Sequence, residues 1–214
     1  MDLHNNDAGS VSPISLNDFI NQEISFPLRD LVEQSTGHKI LPITAEHEPV
    51  IAEFEHWLAA NYSRLIEFGE QYRGRVNEFG NAIERFIQDE FQVNGVSLNR
   101  PKNGSGQRVS AGYPDFILDE EDVAPVYLEV KAFNVDNADS SLRTFYASYG
   151  NLPKIQSDAP HLLLMFPFVD KGQGARTIQN DYKLKDLYNF NCKIKIEINA
   201  SNKDTLGCED VVVG

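Results

Sequence analysis

Apolar residues recur along this chain with two periods, helical in its first half and strand-like in its second. After Pro49, the residues Val50, Ile51, Phe54, Trp57, Leu58, Tyr62, Leu65 and Ile66 share one stripe, which predicts a long amphipathic helix. Upstream, Ser15 can cap a short helix through Leu16, Phe19 and Ile20. Leu28, Leu31 and Val32 continue the helical spacing until Gly37 and Pro42 punctuate it. The segment 75–91 predicts a further helix, with Val76, Phe79, Ile83, Phe86, Ile87 and Phe91 as its apolar face.

Beyond residue 91 the period shortens. GYPDFIL (112–118) and VYLEVKAF (126–133) are apolar, β-branched or aromatic runs of strand length. The acidic, proline-containing DEEDVAP (119–125) between them has turn chemistry, so the pair reads as a hairpin. HLLLMFPFV (161–169) is a continuous apolar run, expected as a buried strand. CKIKIEINA (192–200) alternates charge with isoleucine, the pattern of a strand with one wet face. Residues 139–149 suit a helix or loop crossing between strands. The Gly/Ser/Asn/Pro cluster at 99–106 predicts an exposed loop before the hairpin. These elements together predict an α/β protein.

Composition narrows the class. A chain of 214 residues with 41% hydrophobic and 24% charged content suits one compact globular domain. No stretch approaches the length of a membrane span, and MDLHNNDAGS lacks the features of a signal peptide, so a cytoplasmic location without membrane contact is expected. Cys192 and Cys208 form no CxxC, and no histidine pair has zinc-site spacing. His47 and His56 read as surface histidines. The GSG at 104–106 is not part of a phosphate-binding P-loop, because no GxxxxGK[ST] is present.

The chemistry concentrates in the hairpin. A β-pair would bring together Asp115, which follows Pro114, and Glu129. Period-two alternation points Glu129 and Lys131 to the same face. Two acids and an amine converging there suit a divalent metal with a positioned water.

This Pro114-Asp115…Glu129-Val130-Lys131 arrangement resembles the PD-(D/E)xK nuclease superfamily, best known from type II restriction endonucleases. The resemblance implies a restriction-endonuclease-like core, a central mixed β-sheet flanked by helices, over residues 71–214. Residues 1–70 would then be a helical region for packing, dimerisation or DNA contact within one compact molecule. It also implies that Asp115 and Glu129 bind Mg²⁺ and that Lys131 orients the attacking water. Family members often carry a helical glutamate four residues after a glycine, and both Gly74…Glu78 and Gly80…Glu84 match. On the helical wheel Glu84 falls at the edge of the apolar face and Glu78 nearly opposite it, which favours Glu84 as the assisting acid.

A net charge of −13 opposes DNA binding, since phosphate contacts need lysine and arginine. Its distribution changes the picture. Residues 1–60 hold ten acids and two bases, whereas 93–113 hold Arg100, Lys102 and Arg108 without an acid, and 171–195 hold six bases against Asp181 and Asp186. Candidate DNA contacts are Arg100, Lys102, Ser105, Gln107, Arg108, Arg143, Lys154, Ser201, Asn202 and Lys203. The resulting expectation is a homodimeric, Mg²⁺-dependent type II endonuclease acting on double-stranded DNA. A junction-resolving, repair or mobile-element nuclease of the same fold remains an alternative, as does a non-catalytic acidic interaction protein.

Overall fold

A computed structural model describes residues 25–108, 112–120, 123–137, 152–172 and 175–193. In chain order the elements are β1 (Ser25–Pro27), α1 (Leu28–Thr36), α2 (Glu48–Gln71), a 3₁₀ turn (Val76–Glu78) and α3 (Phe79–Glu90). Then follow β2 (Val96–Asn99), β3 (Phe116–Glu120), β4 (Val126–Asn134), a second 3₁₀ turn (Val135–Asn137) and β5 (His161–Asp170). β6 (Arg176–Ile178), β7 (Lys183–Asp186) and β8 (Asn191–Lys193) complete the set. The chain divides into a main unit, Pro27–Asn191, and a smaller one made of Met1–Phe26 with Cys192–Gly214. β1 and β8 pair as a two-stranded ribbon of their own.

The main unit is organised by a mixed six-stranded sheet. β4 and β5, the two most apolar strands, run parallel from Tyr127 opposite His161 to Asn134 opposite Phe168. Both are buried along most of their length, as expected for strands covered on two faces. β3 adds to β4 antiparallel, and β2 adds to β3 in the same sense. The other edge of β5 is shared: β7 takes Leu162–Met165 and β6 takes Phe168–Asp170, both antiparallel.

Alternation then sorts the side chains. Phe116 and Leu118, Val126, Leu128 and Val130, and Leu162, Leu164, Phe166 and Phe168 point to one face and share a core with the buried stripes of α2 and α3. Tyr127, Glu129 and Lys131 therefore lie on the other face. Helix α2 begins with Pro49 at its first turn, where the missing N–H costs nothing. Near its end Gly69 lets the helix ride close to β6, because a Cβ there would stand 3.0 Å from Ile178 Cγ1.

The structure bears out the predicted hairpin, the long helix after Pro49 and the buried strand at 161–169. Several boundaries and exposures differ. The third helix begins at Phe79, because Val76–Glu78 forms a 3₁₀ turn, and this leaves Val76 exposed rather than on the apolar face. His47 is buried, not a surface residue: it ends the turn before α2 and its Nδ1 bonds to Thr44. Arg176, counted in a basic segment, is also buried, donating to the Gly74 carbonyl at 3.1 Å over the rings of Tyr72 and Phe79. The capped helix at 15–20, the crossover at 139–149 and most of the strand at 192–200 lie outside the described residues.

Phe54 is fully buried against the rings of Trp57 and Phe91, joining α2 to the end of α3. Phe54→Ala is expected to cost about 3–5 kcal/mol, the loss of aromatic burial plus a cavity, measured by urea unfolding. A loss under about 1 kcal/mol would show that α2 does not share the sheet's core.

Candidate active site

Asp115 stands one residue before β3, and continuing the β3–β4 register sets it opposite Glu129. Its Oδ2 accepts the N–H of Val130 at 2.9 Å, so the carboxylate is pinned to the backbone between Glu129 and Lys131. The Lys131 ammonium lies 3.5 Å from the same oxygen, forms a close ion pair with Glu129 Oε1 and donates to the Val130 carbonyl at 2.9 Å. Asp115 and Glu129 are only 7% and 3% exposed, so water screens their charges poorly.

Glu84 comes from α3, buried as its place beside Ile83 and Ile87 requires. Arg100, just past β2, directs both terminal nitrogens at Glu84 Oε2, each at 3.4 Å. Its Nε donates to Gln88 Oε1 at 3.1 Å, and its guanidinium lies 5.1 Å above the centre of the Phe116 ring. Glu84 and Gln88 are one helical turn apart, so one arginine fork spans both.

Burial sets the electrostatics. Glu129 is pushed up to about 8, first by desolvation and then by the neighbouring Asp115 charge. Glu84 is raised by burial and by Asp115, against the pull of Lys131 and Arg100. For Lys131, burial lowers the pKa, but the carboxylates of Glu129 and Asp115 outweigh it and hold the ammonium charged above its ordinary range.

Beneath the site the chain is tied down from the rear. Lys154 donates to the carbonyls of Gly112 at 2.6 Å and Pro114 at 2.8 Å. The Tyr113 hydroxyl meets His161 Nδ1 at 2.5 Å, and burial drives His161 down to about 3, so it is neutral.

Residues 20–207 match the model of the type II restriction enzyme MjaV family. The type II restriction enzyme MjaV of Methanocaldococcus jannaschii is 34% identical to this chain over 201 residues, covering 86% of the chain and 85% of that relative. The chain belongs to the MjaV family of type II restriction enzymes. As a member of the MjaV family it is a type II restriction endonuclease, a site-specific deoxyribonuclease whose partner is DNA. The readings as an acidic interaction protein or a junction-resolving enzyme give way to this one. The mixed sheet flanked by helices is the fold class expected from the sequence.

The sequence-derived candidates fall into four groups. Asp115, Glu129, Lys131 and Glu84 are brought together, whereas Glu78 is exposed in the 3₁₀ turn beside Arg75. Lys102, Ser105, Gln107 and Arg108 lie on an exposed loop folded around Asn103, whose Oδ1 accepts from Ser105 and Gln107. Two of the candidate DNA contacts are turned inward. Lys154 is 1% exposed, with its ammonium committed to backbone carbonyls, and Arg100 is committed to Glu84 and Gln88. Arg143, Ser201, Asn202 and Lys203 lie outside the described residues. Gln88 was not anticipated, although its i+4 spacing from Glu84 is visible in the sequence.

The donor set fits a hard divalent cation of the kind type II restriction enzymes generally use. Glu129 Oε2 is buried without a hydrogen-bond partner, and the Lys131 ammonium bridging Asp115 and Glu129 marks where these oxygens focus positive charge. Among the described residues no three histidine, cysteine, aspartate or glutamate side chains form a closed cage.

Between the ordinary carboxylate range and about 8, folded Glu129 holds a proton that the unfolded chain has lost, so its contribution to stability falls as pH rises. Glu84 acts with the same sign. His161 acts oppositely below its ordinary value, so the diagnostic quantity is a difference between variants. In metal-free protein, the Tm of Glu129→Gln relative to wild type is expected to rise between pH 5 and pH 8. A difference independent of pH would rule out the raised carboxyl.

Proposed function

We propose that this endonuclease hydrolyses phosphodiester bonds in double-stranded DNA at a specific sequence, with Mg²⁺ as its cofactor and Asp115, Glu129, Lys131 and Glu84 as its catalytic residues. The observation that supports this reading is the Lys131 ammonium held between the Asp115 and Glu129 carboxylates at the end of the β3–β4 hairpin. Asp115 and Glu129 would hold the metal, which when bound lowers the pKa of a water and offsets charge on the scissile phosphate. Lys131 keeps its proton beside two acids, so it serves as a donor that orients a water or a phosphate oxygen rather than as a base. Glu84, steadied by Arg100, assists from the helix side. The exposed loop carrying Lys102, Gln107 and Arg108 offers donors to phosphates and base edges.

A homodimer is proposed because two-fold protein symmetry matches a palindromic site. The cytoplasm is the proposed location; no described helix is long and apolar enough to cross a membrane.

Phage DNA incubated with the purified protein and Mg²⁺ is expected to give discrete fragments whose ends share one sequence. Random-length products or no cutting would count against the proposal. Asp115→Ala, Glu129→Ala and Lys131→Ala are each expected to slow cleavage by roughly 10²–10⁴-fold without loss of folding. Glu84→Gln should slow single-turnover cleavage by about 10–100-fold while Glu78→Gln leaves it unchanged. The reverse order would transfer the helical role to Glu78.

A further inference from the structure

We propose that Lys154 is a positioning residue of the active site: it holds the Gly112–Asp115 loop by two charged hydrogen bonds and thereby sets the Asp115 carboxylate for metal binding. A lysine that is 1% exposed gives up nearly all its hydration, so its hydrogen bonds must compensate for a large desolvation cost. Those bonds are short and go to backbone: 2.6 Å to the Gly112 carbonyl and 2.8 Å to the Pro114 carbonyl. The two acceptors bracket Tyr113–Pro114, the residues immediately before Asp115. The Pro114 carbonyl belongs to the peptide unit that carries the Asp115 backbone nitrogen, so fixing it fixes where the Asp115 side chain starts.

The far end of that side chain is fixed separately, by the Val130 N–H at 2.9 Å. Asp115 is thus held at both ends, once by the β4 backbone and once through Lys154. Proline makes the second tether necessary. Pro114 has no N–H with which to join a sheet ladder, and Asp115 precedes the first paired residue of β3. Gly112, with φ of +84°, turns the chain there in a conformation favouring glycine, and its carbonyl takes the other Lys154 bond. Burial lowers the Lys154 pKa, and the charges of Asp115, Glu129 and Glu84 act against that. A neutral side chain of the same length could fill the space without supplying either bond.

This inference rests on the reading of Asp115 as a metal ligand, and the test separates the two. Mg²⁺ binding to the whole protein is measured by calorimetry for wild type, Asp115→Asn, Lys154→Met, Lys154→Arg and the double variant Asp115→Asn/Lys154→Met, alongside Tm and single-turnover cleavage. Lys154→Met is expected to weaken Mg²⁺ binding and slow cleavage by roughly 10–100-fold, with DNA affinity in metal-free buffer unchanged and Lys154→Arg recovering part of the loss. In the Asp115→Asn background the same substitution should have little further effect on Mg²⁺ binding, since the ligand it positions is already impaired. Full Mg²⁺ affinity in Lys154→Met, or an undiminished effect in the Asp115→Asn background, would overturn the positioning role. Full Mg²⁺ affinity in Asp115→Asn would instead overturn the metal assignment itself. If Lys154→Met does not fold, Lys154→Arg is compared with Lys154→Gln, and equal Mg²⁺ affinities in that pair overturn the proposal.

Discussion

The structure depends on keeping like charges together out of water. Asp115 and Glu129 face each other at the end of a hairpin, both almost fully buried, and Glu84 approaches from the neighbouring helix. Left alone, such a cluster would expel its charge by taking up protons or would open to solvent. Three cations answer it from different directions. Lys131 lies between the two strand carboxylates, Arg100 forks onto Glu84, and Lys154 supports the loop from beneath. Glu129 still retains a raised pKa, so the compensation is incomplete.

Each answering group reaches the site through a different part of the fold. The parallel β4–β5 pair supplies a rigid floor, and β3 hangs on β4 in the register that opposes Asp115 to Glu129. Helix α3 packs against β4 and so carries Glu84 and Gln88 toward the strand ends. Arg100 follows β2 and joins the helix to the sheet through Glu84, Gln88 and the face of Phe116. This local balance reconciles an acidic chain with a DNA substrate. Residues 1–60 carry −8 of the net −13, ten acids against two bases, while the site holds three carboxylates beside three cations.

Much of this was legible in the sequence where local periodicity controls the outcome. Alternation by two placed Glu129 and Lys131 on one face, and turn chemistry at 119–125 made the hairpin that opposes Asp115 to Glu129. The helical wheel put Glu84 on the buried side of α3, whereas Glu78 lies before that helix, exposed in the 3₁₀ turn. The register also explains a small discrepancy. The ladder starts at Phe116 rather than at the expected strand boundary, so Asp115 sits at the mouth of the hairpin with its carboxylate free to cap the Val130 N–H.

What the sequence could not decide is where long, charged side chains go. Arg100, Lys154 and Arg176 read as surface bases, since lysine and arginine are rarely buried. Each is instead drawn inward by acceptors far away in sequence: Glu84, the Gly112 and Pro114 carbonyls, and the Gly74 carbonyl. Short-range periodicity determined the elements, the hairpin and the three residues of its motif, because those follow from the backbone's own repeat. Only the tertiary structure decided which cations turn inward, because that choice depends on partners meeting across elements up to 102 residues apart.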